Sequence, residues 1–544
     1  MALLPAPAPS PLRSRLVADA AAALFFLALA VFATRPLAFD LGGATLAGPD
    51  PLIDLWTVHW LTGHALEPSK LFHGNIFAPF AWAALHSDLS LGTAVLLLPL
   101  RPFVSDPVPL YNLGVLLALA FAGFAFHLLV HALTGSRAAG LVAGVLAAFT
   151  SHQLHHVYHL NLLSVGWLAV FLLGLHRLIE RPGTPAVLTC GLAFALNAMS
   201  SGYYAVAATL LALAFAAWHW RRFDRRRVVA AGLAALLGAL LIAPYARGYL
   251  ALRAETPLRR PPGLSVRMAF QPARDLGSRA YLDRALVGPG GAGGEKLFPG
   301  LLALGLAGVA LARRRAPAGF YLAAPALLCL VSLGPRIDVF GSTWRLPYGW
   351  LFGLPPFDSM RHPYTFAAVA VMLLAVLAGL GAAALLETRR RFLAPLLVAL
   401  ACVETAGPAT DVRPMARGVP PAYVALAALP PGIVLELPVN APESLLWAAR
   451  HGRPTANGNG AFAPPETLRL QHLVTRAWLA RRPGAIDDSA PVEALRQVFG
   501  VRYVILPAAR PAYGRLARAF EESRSFRLLQ AFDDGARLYA LEVP

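Results

Sequence analysis

The chain has 544 residues, of which 57% are hydrophobic and only 14% charged, and its mean hydropathy is +0.57. Soluble domains carry about 25% charged residues, so these values exclude an ordinary soluble protein and require repeated apolar stretches of the ~20 residues that cross a bilayer. The net charge of +18 does not indicate nucleic acid, because the arginines sit in short patches between apolar segments: Arg221, Arg222, Arg225, Arg226 and Arg227; Arg313, Arg314 and Arg315; Arg389, Arg390 and Arg391. That is the positive-inside pattern of cytoplasmic loops, not a phosphate-tracking groove interleaved with aromatics. Cys190, Cys329 and Cys402 all lie in apolar runs and have neither a disulfide pattern nor zinc-site spacing.

The first apolar run, 17–37, follows Arg13 and Arg15. It exceeds the ~7–15-residue core of a signal peptide and reads as an uncleaved first span. The segment 38–107 then forms a long first outer loop. It opens with "GPDPLIDLWTVHW", residues 48–60. Asp50-Pro51 is a helix start in which the aspartate caps and the proline takes the first turn. Asp54 lies one turn on, on the same face, and a capped helix needs no second cap. The helix itself reads as amphipathic and interfacial. Asp88, close to His86, precedes a second stretch, "LSLGTAVLLLPLRPFV" (89–104). Ser87 or Asp88 could cap it. Three carboxylates in one loop could also take a proton from a hydroxyl or hold a divalent ion against phosphate.

Residues 89–104 are short and broken by Pro99 and Pro102, with Arg101 between them. Counting them as a span would place every later arginine patch outside, so they read as an interfacial or re-entrant helix. Further spans follow at 108–132, 138–155, 162–178, 184–200, 203–220, 228–246, 298–312, 318–334, 364–386 and 393–407. The outer side then collects "SHQLHHVYHLN" (151–161), "SSGYY" (200–204), 247–297, 335–363 and the tail 408–544.

His152/His156 and His155/His159 are i,i+4 pairs that could chelate a metal on a helix, but no glutamate accompanies them. A polar helix end meeting an outer cavity, or hydrogen bonding to a sugar or phosphate, fits them as well. "LPPFDSMRHPYTF" (354–366) places Arg361 at the entry to a span, where its fork of donors suits a lipid phosphate or simply anchors the interface. Arg247, Arg253 and Lys296 are similar loop-edge cations. Tyr203 and Tyr204 stand where tyrosine is enriched without any function. In the tail, "GIVLELPV", "VRYVILP" and "ARLYALEV" read as strands, with an Asp-Gly turn in "FDDGARLY". "PPETLRLQHLVTRAWLARR" and "APVEALRQVF" read as helices.

The strings "GPDPLIDLWTVHW", "HLNLLSVGWLAVFLLGLHRL", "SSGYYAV" and "RHPYTFAAVAVMLLAVLAGLGAAAL" resemble the GT-C glycosyltransferase superfamily, in particular its bacterial YfhO and RgtA/B/C/D-like members. "VLELPV", "HGRPTANGNGAF" and "FGVRYVIL" extend the resemblance into the tail. It implies inverting transfer of a sugar from a polyprenyl phosphate to a glycan, lipid or protein acceptor on the outer face of a bacterial cytoplasmic membrane. By position Asp50 or Asp54 matches the first-loop acid that acts as base or metal partner, and Asp88 is a weaker match to a second acid. Where some relatives carry an acid in the second outer loop, this chain has His159 and Asn161, which leaves a magnesium or manganese requirement open.

The expectation is therefore an α-helical polytopic membrane protein, GT-C-like, of about 11 transmembrane helices (1–407), with a small extracytoplasmic α/β domain (408–544) and its N-terminus inside. Asp54 and Asp50 are the candidate catalytic acids. Asp88, His86, His159, Asn161, Arg361, Tyr203 and Tyr204 are the candidate substrate contacts. A flippase of lipid-linked glycans lacks the inverted repeats and mid-membrane charges it would need. A non-catalytic assembly protein would depend on its tail, which would bind cell-wall glycans.

Overall fold

The computed structural model describes residues 12–48, 50–256, 258, 281, 296–339, 342–387, 390–479, 487, 489–507, 520 and 522–542. The proline-rich start and most of the 247–297 loop lie outside them. The first half is helical: α1 Leu12–Ala33, α2 Pro51–Gly63, α3 Leu91–Leu97, α4 Pro107–Thr134, α5 Arg137–Ala148, α6 Ser151–His155, α7 Leu160–Leu163, α8 Gly166–Glu180, α9 Thr184–Ala198, α10 Gly202–Trp218 and α11 Arg225–Glu255. The membrane part continues with α12 Leu301–Ala312, α13 Ala318–Ser332, α14 Pro347–Leu351, α15 Tyr364–Glu387 and α16 Ala394–Thr405. The tail adds α17 Pro421–Ala427, α18 Glu443–His451, α19 Pro465–Leu479 and α20 Ser489–Glu493.

Each expected span coincides with an apolar helix. Among the described residues, five apolar stretches are long enough to cross a membrane: α1, α4, α7 with α8, α11 and α15. α4 and α15 are mostly buried within the protein and form the centre of the bundle, α4 against α5 and α8, α15 against α12 and α13. α3, with the 3₁₀ turn Leu98–Leu100 that continues it, is only about 15 Å long at 1.5 Å per residue, half the ~30 Å hydrocarbon core.

Polar ends opposite the first outer loop are tied by ion pairs. Arg137 pairs with Asp19 at 2.5 Å and Arg222 with Glu180 at 2.9 Å. Arg315 pairs with Glu387. At the outer end Arg253, in the last turn of α11, forms a two-point ion pair with Asp358. That pair engages Arg253, so it is a structural tie instead of a free phosphate ligand.

The short outer strands β1 (Ala44–Leu46), β2 (Arg336–Val339), β3 (Ser342–Arg345) and β4 (Val412–Pro414) form two antiparallel pairs, β1 with β4 and β2 with β3. The tail carries a four-stranded mixed sheet of β5 (Ile433–Glu436), β6 (Val501–Leu506), β7 (Phe526–Ala531) and β8 (Arg537–Leu541) in the order β5-β6-β8-β7. β5 and β6 are parallel, the other pairings antiparallel. The Asp-Gly turn joins β7 to β8: Gly535 has φ +84, and Asp534 Oδ1 accepts from the Ala536 N–H at 2.9 Å. Leu470 and Val474 of α19 cover one face of the sheet, and Tyr423 and Leu426 of α17 the other.

The tail is fastened to the first outer loop. Leu445, Leu446 and Ala448 of α18 belong to the same apolar core as the membrane helices. They cover α2, which is therefore buried over nearly its whole length instead of lying amphipathic on an interface. Asn75 is the polar clasp. Its Oδ1 accepts from the Trp56 indole N–H at 2.8 Å, and its Nδ2 donates to the carbonyls of Ala448 (2.7 Å) and Arg453 (3.2 Å). Arg450 adds a two-point ion pair to Asp106, whose carboxylate also caps α4 through the Val108 N–H.

Asn75→Ala removes the acceptor of the buried Trp56 indole N–H and one donor each from the Ala448 and Arg453 carbonyls, at about 1–3 kcal/mol for a buried group left without a partner. The variant is expected to melt several degrees lower in detergent and to release the tail faster under limited proteolysis. An unchanged melting temperature and digestion pattern would remove Asn75 from this role.

Candidate active site

The first outer loop, the second outer loop and the 354–363 loop meet at the outer end of the bundle, and buried acids hold them there. Asp54 lies one turn into α2 and is only 6% exposed. Its Oδ2 accepts the Leu160 backbone N–H at 2.8 Å, one of the N–H groups that the start of α7 leaves without an intrahelical partner. Asp54 thus caps a helix 106 residues further along the chain. Asp50 does occupy the N-cap of α2, but its side chain makes no capping hydrogen bond. The carboxylate is instead 46% exposed, with Oδ2 3.2 Å from His159 Nδ1. The local roles are the reverse of those expected: Asp54 has the structural task, and Asp50 presents a free face.

Asp88 joins three segments. Its Oδ2 accepts from Asn161 Nδ2 at 2.6 Å and its Oδ1 from the Gly202 N–H at 3.2 Å, tying the second loop and the start of α10 to the first loop. The adjacent α3 is held by the same turn, where the Gly92 N–H donates to Ser200 Oγ at 2.7 Å. A side chain at Gly92 would meet the Trp167 ring at 2.4 Å, so the approach requires glycine. Tyr203 closes the circuit: its hydroxyl oxygen accepts the His362 N–H at 2.8 Å, fixing the loop that carries Arg361. Arg361 is exposed, and its positive charge acts on Asp50.

The electrostatics separate the acids. Burial raises Asp50 above the usual carboxylate value, and the Arg361 charge pulls it back. Burial raises Asp54 much further, and the charges of Asp50 and Asp88 add to the rise; the Leu160 N–H and the Ser90 hydroxyl act in the opposite direction. Asp88 is raised by burial and partly restored by Asn161, Gly202 and Ser201. The three carboxylates are therefore one coupled group, and only Asp50 offers an accessible oxygen beside a cation.

Two expected contacts lie elsewhere. His86 is 1% exposed and packs tilted against Phe77, and among the described residues neither ring nitrogen has a hydrogen-bond partner. Burial holds its pKa down to about 4, so the ring is neutral. Tyr204 is fully buried and its hydroxyl donates to the Leu162 carbonyl. His86 ends the 3₁₀ turn Ala83–His86 and packs against Phe77, whereas Tyr204 sits one step along α10 from Tyr203 and is buried in the bundle.

Only one of the two i,i+4 histidine pairs keeps its rings side by side. α6 ends at His155, which takes His155 and His159 off a common helix. His152 and His156 are stacked and buried, with ring centroids 4.6 Å apart. Among the described residues no group of three His, Cys, Asp or Glu has an arrangement that could hold a metal. One Asp54 oxygen accepts from Leu160, and the two Asp88 oxygens accept from Asn161 and Gly202.

No family model and no curated protein matches the chain. Solved structures do. The arabinofuranosyltransferase AftD from Mycobacteria superposes with a TM-score of 0.60 at 16% identity over 97% of this chain. The chain spans 41% of that protein's length. ArnT from Cupriavidus metallidurans, in a structure bound to undecaprenyl phosphate, gives 0.47 at 12% identity over 97% of this chain and 98% of that one. Archaeal AglB from Archaeoglobus fulgidus, in complex with dolichol-phosphate, gives 0.48 at 12% identity over 97% and 75%. The similarity to AftD shows a shared fold, a multi-span helical membrane architecture.

Asparagine keeps a carbonyl oxygen and alanine does not, so the two changes at Asp54 should differ. Asp54→Asn is expected to retain the Leu160 bond and near-normal stability. Asp54→Ala, which orphans a buried N–H, should lose about 1–3 kcal/mol. Thermal melts of the two purified variants check this, and equal melting temperatures would count against the capping role.

Proposed function

We propose that the protein is an inverting glycosyltransferase of the GT-C type, akin to the bacterial YfhO and RgtA/B/C/D-like proteins, with Asp50 as its general base. It takes a sugar from a polyprenyl phosphate and transfers it to an acceptor hydroxyl on the outer side of the bacterial cytoplasmic membrane. One observation carries this reading: the half-exposed Asp50 carboxylate lies against His159 Nδ1 and within the field of the exposed Arg361, where three outer loops converge. The fold shared with an arabinofuranosyltransferase supports it. The arginine patches at the opposite helix ends support an orientation with the N-terminus inside and the tail outside.

In the proposed step the acceptor oxygen attacks the anomeric carbon of the donor sugar. The bond from that carbon to the phosphate oxygen breaks, with inversion, and the acceptor proton passes to Asp50. A base must be able to reach that proton and hold it in the transition state, which favours Asp50 over the buried Asp54. His159 orients the Asp50 carboxylate. Arg361 balances the charge of the departing polyprenyl phosphate with a two-pronged donor that suits phosphate oxygens. Asp54, Asp88, Asn161 and Tyr203 are positioning residues. None of these roles requires a metal.

In reconstituted protein with a polyprenyl-phosphate sugar donor, Asp50→Asn should lower kcat about 10²–10⁴-fold, while Asp54→Asn loses far less. Normal turnover in the Asp50→Asn variant would overturn the assignment of the base, and normal turnover in both would overturn the reading of this site as catalytic.

The acid limb of the pH profile gives a second check. A base works deprotonated, so activity rises with pH through the Asp50 pKa. Arg361→Ala removes the charge that holds this pKa down, so the limb should move to higher pH and KM for the donor should rise. A limb that stays in place would separate Arg361 from Asp50.

A further inference from the structure

The outer domain contains a cleft of about 500 Å³ between the end of β5, the 458–463 stretch and the start of α19. Its volume is that of a small-molecule site. Asn440, Asn459, Phe462, Thr467 and Gln471 line it, and among the described residues no charged side chain does. Thr467 is only 5% exposed, yet its hydroxyl has no hydrogen-bond partner among the described residues. A buried hydroxyl left without a partner costs about 1–3 kcal/mol, and Thr467 stands in the wall of this cleft. Asn440, Asn459 and Gln471 supply amides that both donate and accept, and Phe462 supplies an apolar ring.

This chemistry identifies the ligand class. Paired donor–acceptor amides match neighbouring hydroxyls, and the phenyl ring suits the apolar C–H face of a sugar. A phosphate, a lipid headgroup or an acidic peptide would require cations, and the cleft offers none. The cleft is also joined to the active site. The Phe462 N–H donates to the His86 carbonyl at 3.1 Å, and the Phe77 N–H donates to the Asn457 carbonyl at 2.8 Å. A side chain at Gly458 would meet the Phe77 ring at 2.4 Å, so the wall of the cleft lies directly on the first outer loop. His86 stands two residues before Asp88.

We propose that this cleft binds a neutral glycan segment and so holds the acceptor beside the first outer loop that carries Asp50. Its role as an acceptor site rests on the transfer reading above; the binding itself does not.

The test uses the full chain in lipid nanodiscs and a panel of neutral gluco-, manno-, galacto- and arabino-oligosaccharides, with phosphorylated and uronic-acid counterparts, read by saturation-transfer NMR. A neutral glycan is expected to bind. Asn459→Ala combined with Gln471→Ala, and separately the near-isosteric Thr467→Val, should weaken it about tenfold or more, one lost hydrogen bond being worth about that factor. Melting temperatures confirm that these variants are folded. Asp50→Asn should leave binding intact while transfer stops. If neither cleft variant weakens binding, if only charged glycans bind, or if none of the panel binds, the proposal is overturned. If the cleft variants lose binding but Asp50→Asn still transfers sugar, the cleft stands and the catalytic reading falls.

Discussion

Buried carboxylates that accept backbone and amide N–H groups across long sequence distances hold the outer end of this protein together. Asp54 to Leu160 and Asp88 to Asn161 and Gly202 join segments separated by 73 to 114 residues. Taking a carboxyl out of water is unfavourable unless its oxygens are satisfied, so each acid binds its loop into one position or destabilises the whole. Asp50 gains its geometry from this arrangement. It is held at the start of a helix that α18 covers, faced by a histidine whose neighbour Leu160 is bonded to Asp54, and left with an open side toward solvent. Rigid support around a small accessible group is what a reacting residue requires.

The outer domain extends the same principle. Asn75 clasps α18, and Asn457 clasps the end of β5, the strand that precedes it. The Asn457 amide accepts the Glu436 N–H and donates to the carbonyls of Glu436 and Val439, each bond between 2.7 and 2.9 Å. This fixes the chain just before Asn440, at the rim of the polar cleft. Glu436 itself is buried, with the Tyr423 hydroxyl donating to its Oε2 at 2.7 Å. Burial raises its pKa, with His451 and Tyr423 opposing. The tail thus shares a core with the bundle through α18 and stands on its own two smaller cores beyond it.

Much of this was legible in the sequence because it rests on local signals. Apolar length located the apolar helices among the described residues, five of them long enough to cross a membrane, the two prolines around Arg101 kept 89–104 short, and Asp534-Gly535 marked its hairpin. What was not legible depends on partners far along the chain. Asp50 carries a standard capping motif, and nothing within the next few residues reveals that its carboxylate turns away while Asp54 serves a helix more than a hundred residues off. α2 reads as interfacial until the tail's α18 is known to cover it. β7 escaped because it is an edge strand with mostly exposed side chains, including Arg527 and Gln530, and so lacks the apolar alternation that announces a half-buried strand. His86 and Tyr204 were grouped with the site by proximity in sequence, although a single step along a helix or turn changes the face a side chain occupies.

The pairing of β1 with β4 has a consequence for how the molecule is made. Ala44 pairs with Pro414, a separation of about 370 residues. At the roughly 5–20 residues per second of protein synthesis, the first strand emerges about 20–70 s before its partner exists. During that interval the first outer loop has neither its strand partner nor the helix that later buries α2, so an apolar surface and an open strand edge face the exterior. Maturation of the site is thereby placed at the end of biogenesis, after the whole bundle has been inserted. A nascent chain stalled before the tail would carry its membrane helices and the three acids of the first loop but not the elements of the tail that cover α2.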